Sequence, residues 1–153
     1  MSRRSQIAMS EGEVAAFLEN QRVVVCATVG TRGWPHLMPL WYVVRDGEIW
    51  AWTYSKSQKV RNLERDDRAT LQIEDGDQYR ELRGVMVEVR TVLHRDTEIV
   101  ADVGREIFER YGATAPGEEF MDMVRAQAAK RVALQFLPVR VASWDHRKLH
   151  GVY

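Results

Sequence analysis

The chain has 153 residues, 45% of them hydrophobic and 29% charged, which is enough for one globular domain with an ordinary core. Lysine plus arginine equals aspartate plus glutamate at 22 each, so no overall field recruits nucleic acid. The one cysteine, Cys26, excludes an internal disulfide and, set in the apolar run 23–27, reads as a buried inert thiol.

A single domain spanning residues 1–153 is expected. Arg3 and Arg4 are not followed by an apolar segment, and no stretch approaches the ~18 apolar residues of a spanning helix, so neither a membrane partner nor a targeting peptide is expected. A cytoplasmic location follows as the expectation.

In chain order, Ser10 and Glu13 have the spacing of a capping box, and Val14, Phe17 and Leu18 follow at helical intervals. Residues 22–30 are rich in valine and threonine and stop at a Gly30–Gly33 turn, which predicts a strand. Residues 34–45 read as a second extended run, with Pro35 and Pro39 marking its first half as an edge. Asp46-Gly47 is a two-residue hairpin turn, after which residues 48–53 place Ile49, Ala51 and Thr53 on one face and Trp50 and Trp52 on the other. Strands are also predicted over 69–73, 82–94 and 131–144. Between the last two, Ile99, Val100, Val103, Ile107, Phe108 and Tyr111 make one helical stripe, and Phe120, Met121, Val124 and Ala128 a shorter one, with 112–117 separating them. Six strands in consecutive hairpins, with helices inserted late, predict a mostly antiparallel α+β barrel or sandwich.

The segment 53–68 joins an aromatic strand to a short basic helix. From 56 to 68 five cations, Lys56, Lys59, Arg61, Arg65 and Arg68, face three anions, Glu64, Asp66 and Asp67. Ser55 or Ser57 can cap this helix, and Ser55 with Gln58 has capping-box spacing. Unpaired N–H groups and the positive end of the helix dipole favour a phosphate there. Signatures for dinucleotides, P-loops, zincins and serine hydrolases are all missing, and of the four scattered histidines only His146 and His150 share a segment, so no metal site is expected. A bound cofactor would therefore have to carry any redox chemistry.

The order Pro35-His-x-x-Pro39-x-Trp41-Tyr42-Val43, the Asp-Gly hairpin, the aromatic strand to Thr53, then Ser57, Lys59, Asn62, Leu63 and Asp66-Asp67-Arg68 resembles the split β-barrel flavin proteins related to pyridoxamine 5′-phosphate oxidase. Within them it is most similar to the flavin and deazaflavin oxidoreductases that use coenzyme F-420, and the closing segment 140–149 is similar to theirs. The resemblance covers about residues 10–150. It implies a six-stranded split β-barrel with a few peripheral helices.

The resemblance also implies a site. Ser57 and Lys59 match the positions that hold the cofactor phosphate, and Asn62 and Leu63 the helix face behind it. Pro39, Leu40, Trp41 and Tyr42 match the strand lining the ring system, with Trp52 and Thr53 beside it. Arg83 and Trp144 match positions that approach the cofactor from a second subunit, which implies a homodimer with interface sites. A second phosphate site, by which a vitamin oxidase would hold its substrate, is not visible between 95 and 131. The expected activity is hydride transfer from reduced F-420 to an activated double bond of a small or aromatic substrate, the proton coming from water, Tyr42 or His36. FMN chemistry on the same fold, or a non-catalytic protein for flavin, deazaflavin or haem, are the alternatives.

Overall fold

The computed structural model describes residues 2–113 and 117–150. Helices α1 (Arg3–Ile7) and α2 (Glu11–Asn20) lead into β1 (Val24–Val29), β2 (Pro35–Leu40), β3 (Val43–Arg45) and β4 (Glu48–Tyr54). Then come α3 (Gln58–Arg65), β5 (Arg68–Asp75), β6 (Arg83–His94), α4 (Thr97–Arg110), α5 (Glu118–Ala128) and β7 (Arg131–Asp145). The part of the predicted inter-helix connection at 114–116 and the end of the tail at 151–153 lie outside the described residues.

Seven strands, not six, pair antiparallel in the order β2-β1-β5-β6-β7-β4-β3. Five helices accompany them among the described residues. The extra strand arises because the expected run 34–45 is two strands, which lie at opposite ends of that order and are joined only by Trp41 and Tyr42. Three Cα steps reach at most ~11 Å, so the two edges are drawn together and the sheet must curl into a half-barrel split between them. The break has a remote cause. The Tyr111 hydroxyl, at the end of α4, accepts from the Tyr42 amide at 3.1 Å and donates to the Arg22 carbonyl at 2.6 Å, pinning the bend.

Several expectations hold in detail. The α2 capping box forms, with Ser10 Oγ accepting from the Glu13 amide and the Glu13 carboxylate accepting from the Ser10 amide. Asp46 and Gly47 both have positive φ, 49° and 80°, as a tight twisted hairpin turn requires. Pro35 and Pro39 do lie in an edge strand.

Inward-facing Val24, Leu71, Ile73, Val85, Leu134 and Phe136 fill the barrel. Helix α2 closes the end where β1 begins, through Phe17 and Leu18, and α3 closes the other through Val60 and Leu63. Outside β4 and β7, helices α4 and α5 build a second apolar layer around Val100, Val103, Ile107 and Val124. On the far side the outer face of β2, β1, β5, β6 and the second half of β7 carries no helix, and Leu37 and Val139 are exposed there. Opposite Glu88 and Val89 the register skips Val139, a bulge that turns it outwards. No helix among the described residues is long and apolar enough to cross a membrane.

Candidate functional site

The turn between β4 and α3 holds polar groups without the partners that burial normally demands. The N-cap of α3 is Ser57, not Ser55, and the expected Ser55–Gln58 capping box does not form, because the helix starts after Ser57 has already turned extended at φ −68°, ψ 154°. No side chain caps the helix, and the Ser57 hydroxyl oxygen is buried with no hydrogen-bond partner. An orphaned buried hydroxyl is uncommon and costs about 1–3 kcal/mol.

Two residues further on, Lys59 is only 5% exposed. Its ammonium donates to the Thr53 hydroxyl at 2.9 Å and has no carboxylate partner among the described residues. Burial lowers its pKa. Such a cation is destabilising unless something anionic is brought to it. The neighbouring Cys26 thiol supplies none, since burial pushes its pKa up to about 12.

Behind this pair a chain of amides is fixed. Gln58 Nε2 donates to Asn62 Oδ1 at 2.9 Å, and Asn62 Nδ2 donates to Thr28 Oγ1 at 3.0 Å. Asn62 is wholly buried, and Leu63 belongs to the barrel core. Of the other cations, Arg65 donates to the Val29 carbonyl and so serves the fold, while Lys56 and Arg61 stay exposed. The start of α3 thus assembles a hydroxyl, an ammonium and helix N–H groups able to hold a phosphate, and the residues present fit a phosphate-bearing cofactor.

Residues 10–145 match the family model described as pyridoxamine 5′-phosphate oxidase. The chain belongs to the pyridoxamine 5′-phosphate oxidase family. A conserved hypothetical protein from Mycobacterium tuberculosis is 42% identical, with a TM-score of 0.91 over 100% of this chain and 95% of that one. An F420 reductase superposes with a TM-score of 0.70 at 20% identity, covering 88% of this chain and 98% of that one. A FAD-binding protein from Mesorhizobium loti gives 0.68 at 21%, covering 89% and 94%. No curated protein matches the chain.

The other residues assigned by resemblance to the pyridoxamine 5′-phosphate oxidase family are spread more widely. Pro39 and Leu40 end β2, one strand length from α3. Trp41 stands half-exposed at the split, stacked on Tyr111 at 4.4 Å between ring centroids. Tyr42 is fully buried, its hydroxyl donating to the Leu18 carbonyl at 2.5 Å and lying 3.2 Å from that of Gln21, with the Arg110 guanidinium 4.6 Å above its ring. Burial pushes its pKa up to about 12, so it is unsuited to giving up a proton. Trp52 is on the opposite face of β4 from Thr53, edge-on to Phe108 and packed against Gly104.

Arg83 and Trp144 lie at the far end of the barrel. Arg83 pairs with Asp75 at 2.6 Å, and the Trp144 indole covers Gly84, where a Cβ would fall 2.3 Å from the ring. From Arg83 to Arg90, beside α3, is seven residues of strand, about 24 Å. One chain therefore brings Thr53, Ser57, Lys59 and Asn62 together and leaves Arg83 and Trp144 apart from them.

Reading by motif passed over Thr28 and Arg32, and weighed Gln58 only as a capping partner of Ser55 and His36 as part of the β2 motif and as a proton source. A signal was present for Thr28: it continues the inward series Val24, Cys26 with a polar group, which has to find a partner when buried.

Proposed function

We propose that the chain is a coenzyme F-420-dependent oxidoreductase, with FMN as the alternative coenzyme. The observation that carries this reading is the pairing, within three residues, of an orphaned Ser57 hydroxyl with a buried Lys59 lacking a counter-ion. A bound phosphate satisfies both. The family and the likeness to an F420 reductase and a FAD-binding protein support a flavin-type group in place of another phosphate ligand. The uncommitted cations Lys56 and Arg61 favour the deazaflavin, whose phosphodiester and glutamate tail carry more negative charge than FMN.

When bound and reduced, the coenzyme supplies hydride to one carbon of an activated double bond in a small or aromatic substrate. The chain binds the phosphate through Ser57 Oγ, Lys59 Nζ and the first N–H groups of α3, and Thr53 Oγ1 holds the ammonium in place. Trp41, fixed by Tyr111, offers a flat aromatic surface beside the ring strand. Tyr42 keeps its proton on its carbonyl partners, which leaves water to supply the proton for the second carbon. Arg83 and Trp144 reach the coenzyme from a second copy of the chain, in a homodimer joined through the uncovered sheet face.

Titrating the purified protein with F-420 and FMN tests the coenzyme. F-420 is expected to bind the more tightly, and Lys59→Ala to weaken it by at least about tenfold with the fold intact, the value of one charge-assisted contact. Tight FMN binding with none for F-420 rules out the deazaflavin reading, and unchanged affinity in Lys59→Ala moves the phosphate elsewhere. Oxidation of the reduced coenzyme over many turnovers with added enones separates an enzyme from a carrier.

A further inference from the structure

The β1–β2 hairpin, residues 30–34, bends over the polar side of α3 and borders a recess of about 320 Å³ that shares Gln58 and Asn62 with the site described above. Arg32, Trp34, His36, Gln58 and Asn62 contribute its side chains. No carboxylate lines it, and Arg32 makes no ion pair among the described residues. Its charge is therefore uncompensated and positive.

Two further observations bear on what the recess can take. His36 Nδ1 is buried without a hydrogen-bond partner, although its cross-strand neighbour Thr28 is already engaged by Asn62. A half-turn of the imidazole about χ2 exchanges Nδ1 with a ring carbon and presents the nitrogen on the other side of the ring. The amides of Gln58 and Asn62 are oriented by their bonds to Asn62 and Thr28, and each NH₂ keeps a second proton. Arg32, His36 and the amide side chains of Gln58 and Asn62 thus line a space with no carboxylate.

We propose that this hairpin pocket is a second anion subsite, receiving a carboxylate or phosphate carried by the same ligand whose first phosphate sits at Ser57. This rests on the coenzyme reading above. Gln58 directly follows Ser57 and lines the pocket, so the two subsites are adjacent and the second lies a short chain of bonds beyond the first. A ligand ending in one phosphate leaves it unused. A ligand with a further anionic arm fills it, with Arg32 providing charge and His36 the bond its buried nitrogen lacks.

The test compares F-420 carrying its glutamates with the same coenzyme trimmed of them, at constant ionic strength, by direct titration of the full chain. The tailed form is expected to bind about tenfold more tightly, the value of one charge-assisted contact. Arg32→Gln and His36→Gln should each abolish most of that difference while leaving the trimmed form within about threefold, and Lys59→Ala should weaken both forms alike. Equal binding of the two forms by the unaltered protein overturns the proposal, as does an equal loss for both forms in Arg32→Gln. Should the chain take FMN and no deazaflavin, the coenzyme choice fails by itself and the pocket is then read by FMN against FAD, whose second phosphate is the added anion. A preference for FAD removed by Arg32→Gln upholds the subsite; no preference overturns it. Unchanged thermal melts of the variants separate these results from misfolding.

Discussion

Lys59 illustrates a side chain kept against its own stability. An ammonium 5% exposed with one hydroxyl partner gives up its hydration for a single bond, and burial lowers its pKa relative to the unfolded chain. Lys59→Met, which keeps the volume and removes the charge, is expected to stabilise the coenzyme-free protein by about 1 kcal/mol in chemical denaturation while losing coenzyme affinity. The pH dependence gives the sign. Since the folded pKa lies below the unfolded value, the unfolded state holds more protons between the two, and stability rises with pH through that window up to about 10.5. Subtracting the Lys59→Met curve from that of the unaltered protein isolates the rise; a flat difference shows that Lys59 titrates as an ordinary surface lysine.

Among the elements, α2 and α3 start in contrasting ways. Helix α2 has both halves of its capping box, and Glu13 also receives the Lys148 ammonium at 2.7 Å, tying the turn after β7 to the start of α2. Ser10→Ala is expected to cost about 1 kcal/mol by denaturant unfolding, and a loss under about 0.3 kcal/mol means that the Lys148 tie alone holds the helix start. Helix α3 has no such cap, and local chemistry could not foretell this, because Ser55 and Ser57 are equally good caps by residue type. What distinguishes them is where β4 delivers the chain, with the Ser57 amide donating to the Tyr54 carbonyl. Strands with clear alternation, such as Glu48–Tyr54, were legible for the opposite reason: one face packs in the barrel and the other under α4, so burial itself has period two. The split at Trp41–Tyr42 was not legible. It carries neither glycine nor proline and is imposed by a tyrosine 69 residues away.

At the scale of the whole molecule, the layers of the fold are asymmetric in a way that asks for a second copy. The outer face of the sheet is covered by α4 and α5 over β4 and β7, while over the other strands it exposes Leu37 and, beside a cleft of about 460 Å³, Val139, 57% and 67% accessible. Apolar side chains grouped on one open face mark an association surface. Arg83 and Trp144 lie about 24 Å of strand from α3, so the contact with a coenzyme at Ser57 proposed for them requires another chain. Light scattering on the eluting protein is therefore expected to give twice the 17.7 kDa of one chain, and Val139→Glu, which puts a carboxylate on the open face, to give the monomer with an unchanged circular dichroism spectrum. Coenzyme affinity should fall in that monomer by at least about tenfold if the proposed contacts of Arg83 and Trp144 leave with the partner. A monomeric unaltered protein that still binds coenzyme would mean that the site is complete in one chain and that Arg83 and Trp144 serve only the salt link to Asp75 and the packing over Gly84.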